Sequence, residues 1–449
     1  TVNGHRETWP VHSKGFRGWL RHQYYLKTGG APNSEALKTA ISTLQARAQY
    51  DAPEREVHIR VARENGKIYL DLADEAWQAV EVDDLGWRIV ERPPVRFCRA
   101  AGMLALPEPI AGGAIHMLRP LLNVVHDEHF TLVIGWILSV VSGQGPYPVM
   151  ALAGEQGSAK STFSTILRKL LDPNFVPLRG LPREERELYI AAKNAHILAF
   201  DNVSTIKDWI SDALCRLSTG GGYAVRQLHT DGDEILFNAC RPILLNGIED
   251  VVNRADLADR AINIMLEPIA HERRRTEQEV LAEFDRCHPA ILGALLDAVR
   301  LGLRQLPYTY LDYQPRMADF ALWAVACEAG YAEEGTFLRA YKANLDLAID
   351  EVLQSDSVAL TVVQLMADQN TWQGLWPECL EVLSTVAGSP GHRTDWPKTP
   401  RALSGHIRRI SPLLRKQGIE VTFPREKSKK SSRGVCFNRQ NQESDPEYQ

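Results

Sequence analysis

Apolar positions recur at helical spacing from Ser34 to Tyr50 and then give way to strand-like runs. Val57 to Arg63 and Lys67 to Leu72 flank Asn65-Gly66, a dipeptide that suits a tight hairpin turn. The apolar run Phe130 to Val141 is shorter than the roughly twenty residues a membrane span needs. It is closed by Gly143, Gly145 and Pro146, which predicts a buried helix. Between Pro148 and Pro268 the texture changes to short apolar runs, Val149 to Ala153, Ala195 to Phe200 and Ile243 to Leu245, separated by helical stretches. That alternation predicts a largely parallel α/β sheet covered on both faces. Residues 275 to 353 predict helices, with Ile291, Leu292, Leu295, Leu296 and Val299 on one apolar face and Met317, Phe320 and Trp323 in the core.

Two more helical patterns follow Ser355, and Thr399-Pro400 reads as the cap and first turn of a third helix, whose apolar face holds Leu403, Ile407 and Ile410. Ser411-Pro412 is expected to interrupt and restart that helix. After Gly418 come a strand from Ile419 to Phe423, a basic tip from Arg425 to Arg433 and a returning strand from Gly434 to Asn438. Helix, helix and basic hairpin is the order of a winged helix.

At 449 residues the chain favours several domains over one core. The expected division is an accessory α+β domain (1–145), an α/β core (146–270), a helical connector or lid (271–354), a winged helix (355–440) and a disordered tail (441–449). No catalytic constellation stands out before residue 145. A start at Thr1 without Met suggests a fragment of a longer protein. The cysteines at 98, 215, 240, 287, 327, 379 and 436 form no C-x-x-C pair, which argues against a zinc site or disulfide framework and for a reducing, cytoplasmic setting. Charge changes the picture only through its distribution. Residues 401–439 carry eleven Lys or Arg against two Glu, a local +9 that leaves −14 for the rest of a chain of net −5.

The candidate chemistry starts where the run Val149 to Ala153 meets a loop of Gly154, Glu155, Gln156, Gly157, Ser158, Ala159, Lys160 and Ser161, and then a helical stretch from Thr162. A glycine-rich loop between a strand and a helix aims backbone N–H groups at a phosphate. Lys160 would then reach the β- and γ-phosphates of ATP, and the Ser161 hydroxyl would ligate Mg²⁺. Ala159 stands where the usual pattern has Gly, and its methyl is expected to require a negative φ. The strand His196 to Phe200 ends in Asp201-Asn202 and would deliver a carboxylate to the metal; Arg241 to Leu245 ends in Asn246, an amide able to orient water. Downstream, Arg260, or in its place Arg254, could reach the γ-phosphate of a neighbouring subunit.

This set, over residues 145 to 270, resembles the superfamily 3 helicases, in particular the primase-helicases of phages, plasmids and mobile elements. The resemblance implies an AAA+-like P-loop NTPase core in a hexameric ring, with ATP between subunits, single-stranded DNA in the channel and room for an upstream primase domain or partner. It assigns Lys160 and Ser161 to phosphate and Mg²⁺, Asp201 to Mg²⁺, Asn246 as sensor and Arg260 as finger. The family usually has a second acid where this chain has Asn202, and an amide cannot accept the proton of water. Glu155 or Asp208 would then serve as base, or hydrolysis would be slow.

Two regions are candidates for DNA. Tyr223 to His229 and Glu234 to Asn238 flank Asp231-Gly232 as a hairpin in which Arg226 and His229 would contact phosphates, although the acidic tip suits a structural role equally. At the C-terminal end, Arg408 and Arg409 on the last helix and Lys427, Lys429 and Lys430 on the hairpin tip would grip a duplex. The combined expectation is an ATP-driven DNA helicase or translocase of a mobile element. The rival is an ATP-gated DNA-binding or assembly protein with little turnover. A metabolic kinase fits the basic C-terminus poorly.

Overall fold

The computed structural model describes residues 4–226, 234–247, 254–388, 396–424 and 434–439. The chain divides into two compact units, Thr1–Val251 with Ile262–Tyr341, and Val252–Ala261 with Lys342–Gln449.

The first unit opens with the helices Lys14–Thr28 and Ser34–Tyr50. An antiparallel meander follows, in the order Val61–Glu64, Lys67–Asp71, Ala79–Val82, Trp87–Val90. Asn65 (φ 52°) and Gly66 (φ 77°) turn its first hairpin with both residues left-handed, which asparagine and glycine tolerate best. The helix Asp127–Ser142 is buried at every position from Phe130 onward. Among the described residues no helix is long and apolar enough to cross a membrane.

The central sheet has the order Ala261–Leu266, Val149–Gly154, Ile243–Gly247, Leu198–Val203. Ile243–Gly247 runs parallel to both of its neighbours, Val149–Gly154 and Leu198–Val203. Its residues Ile243, Leu244 and Leu245 are wholly buried, as a strand covered on both faces must be. The helices Lys160–Leu171, Glu185–Lys193 and Asp208–Thr219 connect these strands. Gly222–Arg226 pairs antiparallel with Glu234–Asn238; His229 and the Asp231-Gly232 turn lie outside the described residues. The long helix Glu277–Gln305 starts at a reciprocal cap between Thr276 and Glu279, and Phe320 and Trp323 are buried on the helix Ala318–Cys327, with Met317 buried just before it.

A buried charge cluster ties the meander to the central sheet. Arg60, fully enclosed, pairs with Asp172 at 3.2 Å and donates to the carbonyls of Asp71 and Leu104. Asp172 closes the C-terminus of the helix Lys160–Leu171, pairs also with Arg168 at 2.7 Å, and accepts the backbone N–H groups of His196 and Ile197. Burial alone would hold a proton on Asp172, but the two guanidiniums and these N–H donors prevail and bring its pKa down to about 2.

In the second unit, the helices Ser357–Leu365, Trp376–Val386 and Pro400–Lys416 pack with an antiparallel sheet of order Thr371–Leu375, Gly434–Arg439, Ile419–Thr422. Leu403, Ile407 and Leu414 are wholly buried, and the Thr399 hydroxyl accepts the Ala402 N–H as N-cap. One expectation is corrected here. Pro412 does not divide the last helix, which runs through it; the Ser411 hydroxyl donates to Ile407, and burial of Leu413 and Leu414 holds the final turn. The strand Thr371–Leu375, only five residues long and with no fully buried residue, was not expected. Residues 425–433, the hairpin tip with Lys427, Lys429 and Lys430, and the tail 441–449 lie outside the described residues.

Candidate functional site

The strand Val149–Gly154 ends beneath Leu266. A Cβ on Gly154 would lie 2.4 Å from the Leu266 carbonyl oxygen, so only glycine lets the chain leave the sheet there. The following loop closes on itself, with the buried Ser158 hydroxyl donating to Glu155 O at 2.8 Å. Gly157, at φ 88°, lets it pass beneath the Arg274 guanidinium. The helix Lys160–Leu171 then begins at Ala159, whose carbonyl accepts the Phe163 N–H.

Ala159 has φ 61°, and this corrects the expectation of a negative value. The turn from loop to helix needs a left-handed residue, and an alanine holds that geometry at a cost of about 1–2 kcal/mol. Because its methyl cannot accept a hydrogen bond, the first N–H groups of the helix have no side-chain cap and are suited to an anion.

Lys160 folds back over the loop, its Nζ donating to Gly154 O at 2.6 Å, Glu155 O at 2.8 Å and Ser158 Oγ at 3.3 Å. Partial burial lowers its pKa, and the carboxylate of Asp201 works in the opposite direction. Ser161, exposed at the helix start, donates to Asp201 Oδ1 at 3.2 Å. Two hard oxygen ligands, one charged and both open to water, suit Mg²⁺, which keeps several of its waters and prefers few protein ligands.

Asp201 is aimed by an irregularity of its strand. Phe200 pairs with Leu245 and Val203 with Gly247, so two residues, Asp201 and Asn202, face the single residue Asn246. Asn202 takes φ 55° at this bulge, a conformation its short amide tolerates. Its N–H is shared between Asp201 Oδ1 at 2.8 Å and Asn246 Oδ1 at 3.0 Å. Asn246, 1% exposed, uses its amide nitrogen on Ser164 Oγ at 3.0 Å and so bridges the bulge to the helix after the loop.

The loop thus brings together Lys160, Ser161, Asp201, Asn202 and Asn246. Glu155 and Gln156 are exposed on its rim and Thr162 is half-buried; Asp208 is exposed at the head of its helix. Arg254 and Arg260 belong to the second unit, where Arg254 pairs with Asp256 at 3.3 Å and Arg260 donates to Asp256 O at 2.7 Å. Arg408 and Arg409 are exposed on the last helix of that unit, Arg408 over the Phe423 ring at 4.0 Å. Arg226 ends its strand opposite Glu234.

Three contributors escaped the sequence reading. Asn123 donates to Ser158 O at 3.1 Å and Glu267 O at 2.6 Å, clamping the loop from outside. Ser164 receives Asn246, and Arg274 covers Gly157. None lies in a recognisable motif. Beside the loop, a cavity of about 270 Å³ is lined by Leu121, Ala159, Thr162, Ile269, Arg273 and Val280 among others.

A family model described as actinomycete integrative conjugative element replication protein matches residues 115–351, and one described as the AICE RepA C-terminal domain matches residues 358–446. No curated protein matches the chain. Among solved structures, the active helicase Cch of SCCmec type IV is 10% identical, with 97% of this chain and 89% of that one covered and a TM-score of 0.46. The apo C-terminal region of NrS-1 is 10% identical, with 93% and 90% covered and a TM-score of 0.40.

Proposed function

The chain belongs to the family of actinomycete integrative conjugative element replication proteins, and from that premise we propose that it is an ATP-dependent DNA helicase or translocase that binds ATP·Mg²⁺ at the Gly154–Ser161 loop. The observation that carries the proposal is the 3.2 Å contact between Ser161 and Asp201, made beside a lysine held only by neutral oxygens. Lys160 would exchange those carbonyls for the β- and γ-phosphate oxygens, and the loop N–H groups would hold the β-phosphate. Ser161 and Asp201 would hold the Mg²⁺, which supplies charge neutralisation. Asn246 keeps Asn202 and the bulge in place, so that the water-facing side of the site stays fixed while the phosphate charge shifts.

In the same reading the protein acts as a ring, hexameric by the superfamily 3 resemblance, with Arg260 completing the site of a neighbouring subunit. The second unit, ordered helix, strand, two helices and two strands, would be a winged helix that meets duplex through Arg408, Arg409 and the basic tip. Steady-state ATP turnover with and without single-stranded DNA tests the motor. Turnover should rise with DNA and vanish in Lys160→Ala; a chain with no turnover above background is not a motor. Normal turnover in Arg260→Ala would remove the finger assignment, and unchanged duplex affinity in Arg408→Glu/Arg409→Glu would remove the duplex contact.

Asn202 favours a second reading, an ATP-gated assembly protein with little hydrolysis. Its side chain is exposed at the site and cannot take a proton from water. Asn202→Asp retains a residue that tolerates φ 55° and supplies a carboxylate. A large rise in turnover would favour the gated reading for the native chain, whereas an unchanged rate would place the base elsewhere.

A further inference from the structure

The helix Lys14–Thr28 contains no buried residue, although it is 15 residues long. Its inner stripe, Phe16, Trp19, Leu20 and Gln23, is half-buried, and the His12 ring bonds Gln45 of the next helix at 3.0 Å. The opposite face presents Lys14, Arg17, Arg21, Tyr24 and Tyr25 to water, with the two tyrosines 44% and 57% exposed. The helix has four cations, Lys14, Arg17, Arg21 and Lys27, and no Asp or Glu. Among the described residues, no carboxylate pairs with any of them.

Local electrostatics oppose this arrangement. Lys14 sits in the first turn, where the helix dipole disfavours a cation, and Arg17 and Arg21 are like charges one turn apart. The helix forms nonetheless, capped by Ser13, whose hydroxyl accepts the Phe16 N–H at 3.1 Å, and by Gly29 at φ 72°. Among the described residues no carboxylate offsets the cost of lining up these charges, which points to an anionic partner outside the protein. The surrounding sequence agrees, since residues 1–50 carry seven Lys or Arg against two Glu, a net +5 that leaves −10 for the rest of the chain.

We propose that the outer face of Lys14–Thr28 is a binding surface for single-stranded DNA, with Lys14, Arg17 and Arg21 on phosphates and Tyr24 and Tyr25 stacked on bases. A duplex hides the faces of its bases, so exposed tyrosines between arginines are of use chiefly on a single strand. A membrane-bound helix would turn its apolar stripe outward, whereas here that stripe faces the protein and Leu26 is the one exposed aliphatic side chain of the helix. The inference rests on DNA as the substrate proposed above, but it concerns a surface separate from the nucleotide loop.

The test is equilibrium binding of the full chain, without nucleotide, to a labelled mixed-sequence single strand. Arg17→Glu/Arg21→Glu should weaken binding roughly tenfold or more at low salt and flatten the salt dependence by about 0.7 per lost phosphate contact. Tyr24→Ala/Tyr25→Ala should weaken it several-fold, and Tyr24→Phe/Tyr25→Phe should restore it, because stacking needs the ring and not the hydroxyl. Irradiation with 5-iododeoxyuridine in the strand should crosslink the peptide that contains Tyr24 and Tyr25. DNA-independent ATP turnover should be as in the native chain in all of these variants, so a failed motor and a failed helix assignment give different results. Unchanged single-strand affinity in the charge-reversed variant, with its circular dichroism intact, overturns the proposal. So does a loss confined to duplex or to vesicles of anionic lipid, or a crosslink that maps only elsewhere.

Discussion

The amide oxygen of Asn246 accepts the backbone N–H of Asn202 at 3.0 Å, while the amide nitrogen of the same side chain donates to Ser164 at 3.0 Å. One buried amide therefore holds the bulge that aims Asp201 to the helix that carries Lys160 and Ser161. Asn246→Ala should leave the Asn202 N–H to Asp201 alone and deprive the buried Ser164 hydroxyl of its donor, destabilising the chain by about 1–3 kcal/mol. ATP turnover should fall by more than that loss of folded protein explains, by roughly tenfold or more. Asn246→Asp retains an acceptor for Asn202 but loses the donor to Ser164, so it should fall between the two. Paired urea unfolding and ATPase assays check this; full turnover in Asn246→Ala would show that the bridge has no part in the chemistry.

Ala159→Gly should stabilise the protein. The alanine at φ 61° carries a steric cost of about 1–2 kcal/mol. Glycine removes that cost but gives back about 0.4–1 kcal/mol through the freer unfolded chain. The net gain should be about 0.5–1 kcal/mol, seen as a higher unfolding midpoint with nucleotide affinity retained. A lower midpoint would mean that the methyl makes a contact worth more than the strain.

These residues also mark how far the sequence was legible. Asn65-Gly66 and Thr399-Pro400 act through their own backbone conformations and could be read locally, as could the burial of Phe130 to Val141. The spacing from Ser161 to Asp201 crosses 40 residues, yet each sits at the end of an apolar strand or the start of a helix, so their meeting follows from strand order. Asn123, Ser164 and the bulge at Asp201-Asn202 were not legible, because each depends on which backbone lies opposite in space. The left-handed Ala159 was misjudged from propensity, which the closed loop overrides. The continuous helix through Pro412 was misjudged because buried Leu413 and Leu414 contribute more than the lost hydrogen bond.

Two buried histidines should make the fold acid-labile. His196, bonded to Val140 O at 3.0 Å, and His288, bonded to Leu170 O at 3.0 Å, both have their pKa pushed down to about 4 by burial. Because the unfolded chain binds these protons near pH 6.5 and the folded one only near pH 4, the stability is complete above about 6.5 and is lost as pH falls towards 4. The expected loss is on the order of a few kcal/mol per histidine. Asp172, at about 2, contributes its stability throughout this window and does not mask the effect. Urea unfolding across the window should show it, and His288→Gln, whose amide can still donate to Leu170, should remove about half of the slope. An unchanged slope would mean that water reaches His288.

Arg60 is the remaining test of how the meander and the central sheet of the first unit are joined. Its guanidinium is wholly buried and ties Asp172, at the end of the helix that starts at Lys160, to the carbonyls of Asp71 and Leu104. Arg60→Met preserves much of the volume but leaves those carbonyls without a donor and Asp172 with Arg168 as its main counter-charge. Removing one member of such a buried set typically costs about 3–5 kcal/mol. The loss should shrink as the solution is acidified below about pH 4, because the native chain then gives up the stability that its lowered Asp172 pKa supplies, whereas in the variant Asp172 titrates nearer its unfolded value and has less to lose. Nucleotide affinity of the molecules that remain folded should be unchanged, since Arg60 contacts the far end of the helix and not the loop. Denaturant unfolding with a parallel nucleotide-binding titration separates the two effects. A loss under 1 kcal/mol would show that Arg168 alone neutralises Asp172, and that the join rests on apolar packing.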